Sequence, residues 1–209
     1  MSHVVLLGDS IFDNAPYVPD RPPVIEQVRR GLPTGWKATL VAVDGHTVED
    51  MAVQLPRIPA DATHLVMSIG GNNALMASGL LGEPAATVGD ALATLAVAIG
   101  EFRDSYIQML AQVRERGLPV SVCTIYDAIP TLEVAARAAL TGFNDVITRA
   151  AFTAGIPLID LRVICTHPDD YSPLSPIEPS VVGGAKIADV ICRLLTSHDF
   201  ATGRTTIWV

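Results

Sequence analysis

Three short polar motifs, each directly after an apolar run, hold residue types that suit acyl-transfer chemistry. They are Gly8-Asp9-Ser10, Asp44-Gly45-His46 and Gly70-Gly71-Asn72-Asn73. A serine hydroxyl can attack an ester carbonyl, while glycine N–H groups and an asparagine amide can donate hydrogen bonds to the resulting oxyanion. Each motif by itself is more typical of a helix cap or a turn. Their regular placement, one at the end of each successive strand, favours a reactive centre at Ser10.

The elements that must position these motifs are predicted by alternating apolar and amphipathic segments. Strands are predicted at Val4–Leu7, Ala38–Val43, His64–Ile69, Leu118–Thr124 and Ile156–Ile159. Helices are predicted at about 22–31, 48–55, 88–116, 132–153 and 182–196. Five strand-then-helix units imply a right-handed, doubly wound parallel sheet. Such sheets bind ligands beyond the carboxyl ends of their strands, and the three motifs lie at those ends.

The chain length predicts one domain. Its 209 residues contain no repeat or linker, so we expect a single domain with a core at 4–195 and a tail at 198–209. Leu75–Pro84 is predicted to be an ordered loop or one helical turn. The tail ends in Ile207-Trp208-Val209. This segment can pack on the body of the chain or on a second subunit, and the oligomeric state is open.

Composition and charge narrow the class of protein. The net charge of −8 argues against binding to nucleic acid or to an anionic membrane surface. The longest apolar run, Ala91–Ile99, is too short to span a bilayer, so no membrane insertion is expected. The N-terminus shows no basic leader. Three widely spaced cysteines, Cys123, Cys165 and Cys192, are typical of reduced thiols. We therefore expect a cytoplasmic protein.

The three motifs resemble the sequence blocks of the SGNH hydrolases, the GDSL-type lipases and esterases. Gly8-Asp9-Ser10-Ile11 matches the first block, Gly45 the second, and Gly70-Gly71-Asn72 the third. The resemblance covers about Val4–Leu195. It implies a flavodoxin-like three-layer α/β/α sandwich with a five-stranded parallel sheet.

The resemblance also implies roles for individual residues. Ser10 would be the nucleophile, and its backbone N–H would donate to the oxyanion together with the Gly45 N–H and the Asn72 side chain. Asn73 departs from the family pattern, which usually has aspartate there.

The fourth block of the family, Asp-x-x-His, is altered in this chain. Ser175 stands in the aspartate position and Glu178 in the histidine position. The reference pKa of glutamate is about 4.3 and that of histidine about 6.5, so Glu178 is a weaker base by on the order of 3 kcal/mol unless burial raises its pKa. Glu178 is the expected base. His167, in the same loop, and His46, beside Gly45, are the alternatives.

Further residues are expected near Ser10, although helix capping explains some of them equally well. The predicted pocket residues are Asp9, Asp13, Asn14, Gly71, Asn73 and Ser175. No metal is expected, because the histidines lack ligand spacing. No nucleotide cofactor is expected, because the chain has no glycine-rich phosphate-binding motif. A phosphoryl acceptor at Asp9 or Asp13 would need a magnesium-binding cluster that the sequence does not show.

These observations predict a serine hydrolase that cleaves small carboxylic esters or acyl groups through an acyl-enzyme on Ser10. The alternative hypothesis is a catalytically impaired protein that keeps the pocket to bind an acylated or sugar-like ligand. The replacement of histidine by Glu178 is the feature that favours this alternative.

Overall fold

The computed structural model describes residues 2–209. Its centre is a six-stranded sheet of order β2-β1-β3-β4-β5-β6 in which every neighbouring pair is parallel. The strands are β1 His3–Gly8, β2 Lys37–Leu40, β3 His64–Ser68, β4 Val120–Cys123, β5 Leu158–Ile159 and β6 Ile207–Trp208. The helices are α1 Val24–Gly31, α2 Met51–Gln54, α3 Gly71–Ala77, α4 Val88–Arg114, α5 Val134–Ala154, α6 Leu161–Ile164 and α7 Val181–Ser197.

The central strand β1 shows how the sheet is buried on both faces. Val4 and Leu6 belong to one apolar core with α1 and α7, whereas Val5 and Leu7 belong to the other core with α4 and α5. All four side chains are fully buried. Since side chains alternate across a strand, a strand buried on both sides reads as a continuous apolar run. The result is the expected α/β/α sandwich of three layers.

Capping residues set the ends of the long helices. The Thr87 side chain accepts a hydrogen bond from the Asp90 N–H at the start of α4, and Ser180 accepts from two N–H groups at the start of α7. Such N-caps typically stabilise by about 1 kcal/mol each. Gly155 ends α5 with a φ of +64°, a left-handed conformation that glycine adopts without strain.

Two sequence predictions differ from the structure. The Leu75–Pro84 segment is more regular than a loop, because α3 is followed by a 3₁₀ helix at Ser78–Gly82. The sheet has six strands where five were predicted. The extra strand comes from the tail, whose Ile207-Trp208 pairs with Leu158-Ile159 of β5. A two-residue edge strand carries no alternating pattern long enough to recognise in a sequence.

No helix in the described part of the chain has the length and apolar character needed to cross a membrane.

Candidate active site

Ser10 lies on a tight turn that begins as β1 ends. Gly8 has a φ of +126°, and a Cβ at this position would collide with the Ser68 carbonyl of β3. The Asp9 carbonyl then accepts hydrogen bonds from the N–H groups of Phe12 and Asp13, at 3.2 and 3.1 Å. This single turn leaves Ser10 only 6% exposed at the carboxyl end of the sheet.

A cavity opens beside Ser10 and extends between α3, α4 and α5. It has about 950 Å³ of empty space, including its open mouth. Its polar end is formed by Asp9, Ser10, Asn72 and Glu178. The rest of its wall is mostly apolar and includes Ile69, Leu75, Leu81, Leu95, Leu140 and Phe143. The cavity therefore combines a reactive polar end with space for an apolar group.

Glu178 lies at the polar end of this cavity and is only 4% exposed. The pKa of Glu178 is raised to about 7, mainly by burial and to a smaller extent by the Asp44 carboxylate, against the lowering effect of an interaction with the Ser10 hydroxyl. Glu178 Oε2 has no hydrogen-bond partner among the described residues. A carboxyl group with this pKa has about the basicity of a histidine, whose reference value is about 6.5. The deficit expected for glutamate is thereby removed.

Asp9 is a second buried carboxyl group beside Ser10. Its Oδ1 accepts a hydrogen bond from the Ile11 N–H at 3.1 Å, which stabilises the nucleophile turn. The pKa of Asp9 is raised to about 7, mainly by burial and to a smaller extent by the Glu178 carboxylate, against the lowering effect of this hydrogen bond. Two carboxyl groups that titrate near neutrality thus flank Ser10, a pattern common at functional sites.

Replacing Asp9 with asparagine is expected to reduce the pH dependence of folding stability. A carboxyl group whose pKa is raised by folding stabilises the protein below its unfolded pKa, and that stability is lost as the pH rises through the folded pKa. For Asp9, with pKa values of 3.8 and about 7, the expected loss between pH 5 and 8 is about 2–3 kcal/mol. Urea unfolding of wild type and Asp9→Asn at both pH values measures this difference. Equal pH dependence of the two proteins would contradict it.

Two of the predicted oxyanion donors carry free backbone N–H groups. Within residues 2–209, neither the Ser10 N–H nor the Gly45 N–H donates to another group of the chain. Gly45 has a φ of +81° in a turn closed by a hydrogen bond from the His46 N–H to the Val43 carbonyl. The Asn72 amide donates one hydrogen bond to the His46 carbonyl at 2.9 Å, which leaves its second hydrogen available. Gly45 itself does not line the cavity that contains Ser10 and Asn72.

Side-chain hydrogen bonds connect the three segments that carry the predicted motifs. Asp13 accepts a hydrogen bond from the Asp44 N–H at 3.0 Å, which ties the nucleophile turn to the second loop. Asn73 accepts from the Val48 N–H at 3.0 Å and donates to Glu49. Asn73 thus ties the start of α3 to the segment at Val48 and Glu49, and it does not line the cavity.

Gln54 is a connecting residue that the sequence did not reveal. It is fully buried, exchanges hydrogen bonds with both backbone groups of Gly8, and contacts His46 Nδ1 at 2.9 Å. A lone glutamine among apolar residues of a short helix was its only sequence signal.

The two histidines considered as bases form hydrogen bonds away from Ser10. The His46 ring is paired with Gln54, and only its backbone carbonyl contacts Asn72. The His167 ring is two-thirds exposed and accepts a hydrogen bond from the Asp169 N–H at 3.3 Å, capping a 3₁₀ turn. Neither lines the cavity beside Ser10, so the geometry favours Glu178 as the base.

Two other predicted pocket residues, Ser175 and Asn14, do not line the cavity. Ser175 is in the turn before Glu178, where its carbonyl accepts from the Glu178 N–H at 3.0 Å. Asn14 is fully buried and bonds to the backbone of both Val24 and Pro179. Gly71, by contrast, lines the cavity and approaches Asp9. Among the described residues there is no cluster of three or more side chains able to hold a metal ion.

Comparison with models of protein families assigns the chain to one family. The model of the GDSL-like Lipase/Acylhydrolase family matches residues 6–183. The chain belongs to this family. Comparison with curated protein sequences gives no match.

Solved structures of lipases and esterases share its fold. An extracellular lipase from Streptomyces rimosus is 19% identical, with a TM-score of 0.67 over 95% of this chain and all of the other. A lipase/acylhydrolase from Enterococcus faecalis is 19% identical, with a TM-score of 0.62 over 93% of this chain and 95% of the other. An acetyl xylan esterase from Geobacillus stearothermophilus is 13% identical, with a TM-score of 0.65 over 92% and 93%. At these identities the likeness concerns the fold.

Proposed function

We propose that this GDSL-family protein is a serine hydrolase that cleaves carboxylic esters through an acyl-enzyme on Ser10. The observation that carries the proposal is the burial of the Glu178 carboxyl beside the Ser10 hydroxyl in one cavity. With a pKa of about 7, Glu178 is substantially ionised at neutral pH and can act as a general base. Membership of a family of lipases and acylhydrolases supports ester hydrolysis as the reaction.

The proposed reaction has two halves. Ser10 Oγ attacks the ester carbonyl carbon while its proton passes to Glu178, and the oxyanion is stabilised by the Ser10 N–H, the Gly45 N–H and the Asn72 amide. Protonated Glu178 then gives its proton to the departing alcohol as the ester bond breaks. In the second half, Glu178 takes a proton from water as that water attacks the acyl-enzyme. Glu178 then returns the proton to Ser10 Oγ as the bond between the acyl group and Ser10 breaks, and the carboxylic acid leaves.

The acyl group is proposed to occupy the apolar part of the cavity. Leu75, Leu95 and Leu140 come from three different helices and line the same space. Burying apolar surface contributes roughly 25 cal/mol per Å². A short or medium acyl chain is therefore the substrate feature that the wall supports. No cofactor takes part in the proposed reaction.

The cellular setting is also a proposal. Cys123, Cys165 and Cys192 are all buried and unpaired, which supports a reducing, cytoplasmic location. The net charge of −8 supports a small-molecule ester as partner over nucleic acid.

A fluorophosphonate probe tests the proposal directly. These reagents react with an activated serine, so wild-type protein is expected to gain one adduct that maps to the peptide containing Ser10. Prior incubation with a short-chain ester should slow the labelling. Absence of an adduct from mildly acidic to basic pH would support the second candidate, a protein that only binds an acylated or sugar-like ligand. The replacement of the family's Asp-x-x-His by Ser175-x-x-Glu178 is the observation that favours this candidate.

A further inference from the structure

The Glu178 side chain lacks the partner that the sequence pattern of the family would provide. Ser175 stands where the Asp-x-x-His block has aspartate, and Ser175 forms no side-chain hydrogen bond within the described chain. Glu178 Oε2 is likewise without a partner there. A base in a reactive geometry needs supporting contacts that hold its position. Those contacts must therefore reach Glu178 by another route.

The backbone around Glu178 is held at three successive carbonyl groups. The Tyr126 hydroxyl donates to the Ile177 carbonyl at 2.6 Å, and the Ser172 N–H donates to the Glu178 carbonyl at 2.8 Å. The Asn14 side-chain amide donates to the Pro179 carbonyl at 3.0 Å. Two of these three donors are side chains, and both belong to segments distant in sequence.

Asn14 joins the nucleophile turn to the base loop. It follows Ser10 by four residues, directly after the turn whose hydrogen bonds converge on the Asp9 carbonyl. Its Oδ1 accepts from the Val24 N–H at 2.9 Å, so both ends of the amide are fixed at once. The residue is fully buried, and its hydrogen bonds are therefore shielded from water. Movement of Asn14 would change the distance between Ser10 and Glu178.

Tyr126 holds the backbone on the amino-terminal side of Glu178. Its ring is 2% exposed, lines the cavity, and packs edge-to-face against Tyr171 with ring centroids 5.1 Å apart. Tyr171 is itself tied by its hydroxyl to the Cys165 carbonyl at 2.8 Å. The donor to Ile177 is thus carried by a rigid, packed side chain.

From this arrangement we infer that Asn14 and Tyr126 are positioning residues that hold Glu178 against Ser10 through its backbone. They replace the side-chain partner expected from the Asp-x-x-His pattern. The inference rests on the proposed function, in which Glu178 is the base. It also explains how a glutamate with an unpaired Oε2 can keep one orientation in a mostly apolar wall.

We call Asn14 and Tyr126 the clamp. Removing the Tyr126 hydroxyl tests the inference with little loss of side-chain volume. Tyr126→Phe is expected to lower kcat about tenfold with KM within about twofold of wild type, because a small displacement of a base slows the chemical step. The loosened carboxyl should gain contact with water, so the pKa of Glu178 should fall from about 7 toward its ordinary value. The acid limb of the pH profile would then move to lower pH while the plateau falls. Asn14→Ala is expected to act in the same direction.

A second readout is independent of turnover. Carbon NMR titration of the Glu178 carboxyl, assigned by its loss in Glu178→Gln, should give a lower pKa in both clamp variants than in wild type. The titratable groups near this carboxyl are Asp9, Tyr17, Asp44 and Tyr126. Phenylalanine at 126 removes a hydroxyl that is uncharged at neutral pH, so the shift would report the position of Glu178. A wild type inactive towards esters and probe would overturn the proposed function, and the titration would still test the clamp.

Thr39→Val is the matched control. It removes the hydroxyl that contacts His3 Nε2 at 2.8 Å, near the amino end of the sheet. This variant is expected to lower the melting temperature and to leave both kcat and the pH profile unchanged. An unchanged Glu178 pKa and kcat in Tyr126→Phe would overturn the inference. An equal shift in Thr39→Val would also overturn it, because general destabilisation would then account for the effect.

Discussion

Replacing Ser10 with alanine is expected to lower the kcat of ester hydrolysis by at least about 10⁴-fold, because no covalent intermediate can then form. The KM should change little, since the apolar wall and the proposed oxyanion donors stay in place. The variant should also fail to react with the fluorophosphonate probe. Initial rates with a short-chain ester and intact-protein mass after labelling measure both effects.

Ser121→Ala provides the comparison for Ser10→Ala. Ser121 is a fully buried serine of β4 whose hydroxyl has no hydrogen-bond partner in the described chain. Losing this hydroxyl should leave activity and labelling at wild-type levels. Equal activity of Ser10→Ala and wild type would instead show that hydrolysis proceeds without a serine acyl-enzyme.

The position of Ser10 could be predicted from the sequence, because the end of a strand can be recognised from an apolar run that stops at a glycine. Val4–Leu7 was recognisable as a strand, and Gly8 marked where it turns. The same reasoning applied to Gly45 and Asn72, each of which follows its own apolar run. Parallel strands bring such residues to one edge regardless of the details of packing.

The supporting residues could not be found in the same way. Tyr126 and Gln54 act through hydrogen bonds to backbone groups 51 and 46 residues away. Nothing in their local sequence specifies those partners, because the contacts depend on how the loops pack. Asn14 was noted near Ser10, but its bond to the Pro179 carbonyl spans 165 residues. The sixth strand was missed for a related reason, since two residues carry no periodicity.

Burial, which the sequence does not show directly, changes the expected chemistry of Glu178 most. From the reference pKa alone, glutamate is a poor base at neutral pH. In the structure the carboxyl is 4% exposed and its pKa rises to about 7. A buried carboxyl can thus take the part that histidine has in the family's Asp-x-x-His block. In the proposed mechanism, protonated Glu178 would be neutral, whereas a protonated histidine would carry a positive charge.

The second large prediction tests Glu178 as the base. Glu178→Gln is expected to lower kcat by about 10³-fold, because glutamine keeps the shape of the side chain and cannot accept the Ser10 proton. In wild type, activity should rise with pH through about 7 as Glu178 ionises, and then reach a plateau. The residual activity of Glu178→Gln should lack this acid limb. Profiles of kcat against pH for the two proteins measure the change.

Glu133→Gln separates the role of Glu178 from a general effect of removing a negative charge. Glu133 is exposed and precedes α5 without forming a side-chain cap, so its substitution should leave the profile as in wild type. If Glu178→Gln kept rapid fluorophosphonate labelling while Ser10→Ala lost it, Glu178 would not be the base. The nucleophile would then need another activator, and neither His46 nor His167 lines the cavity. Loss of labelling in Glu178→Gln, with retained folding, would be the result expected of a serine–glutamate pair.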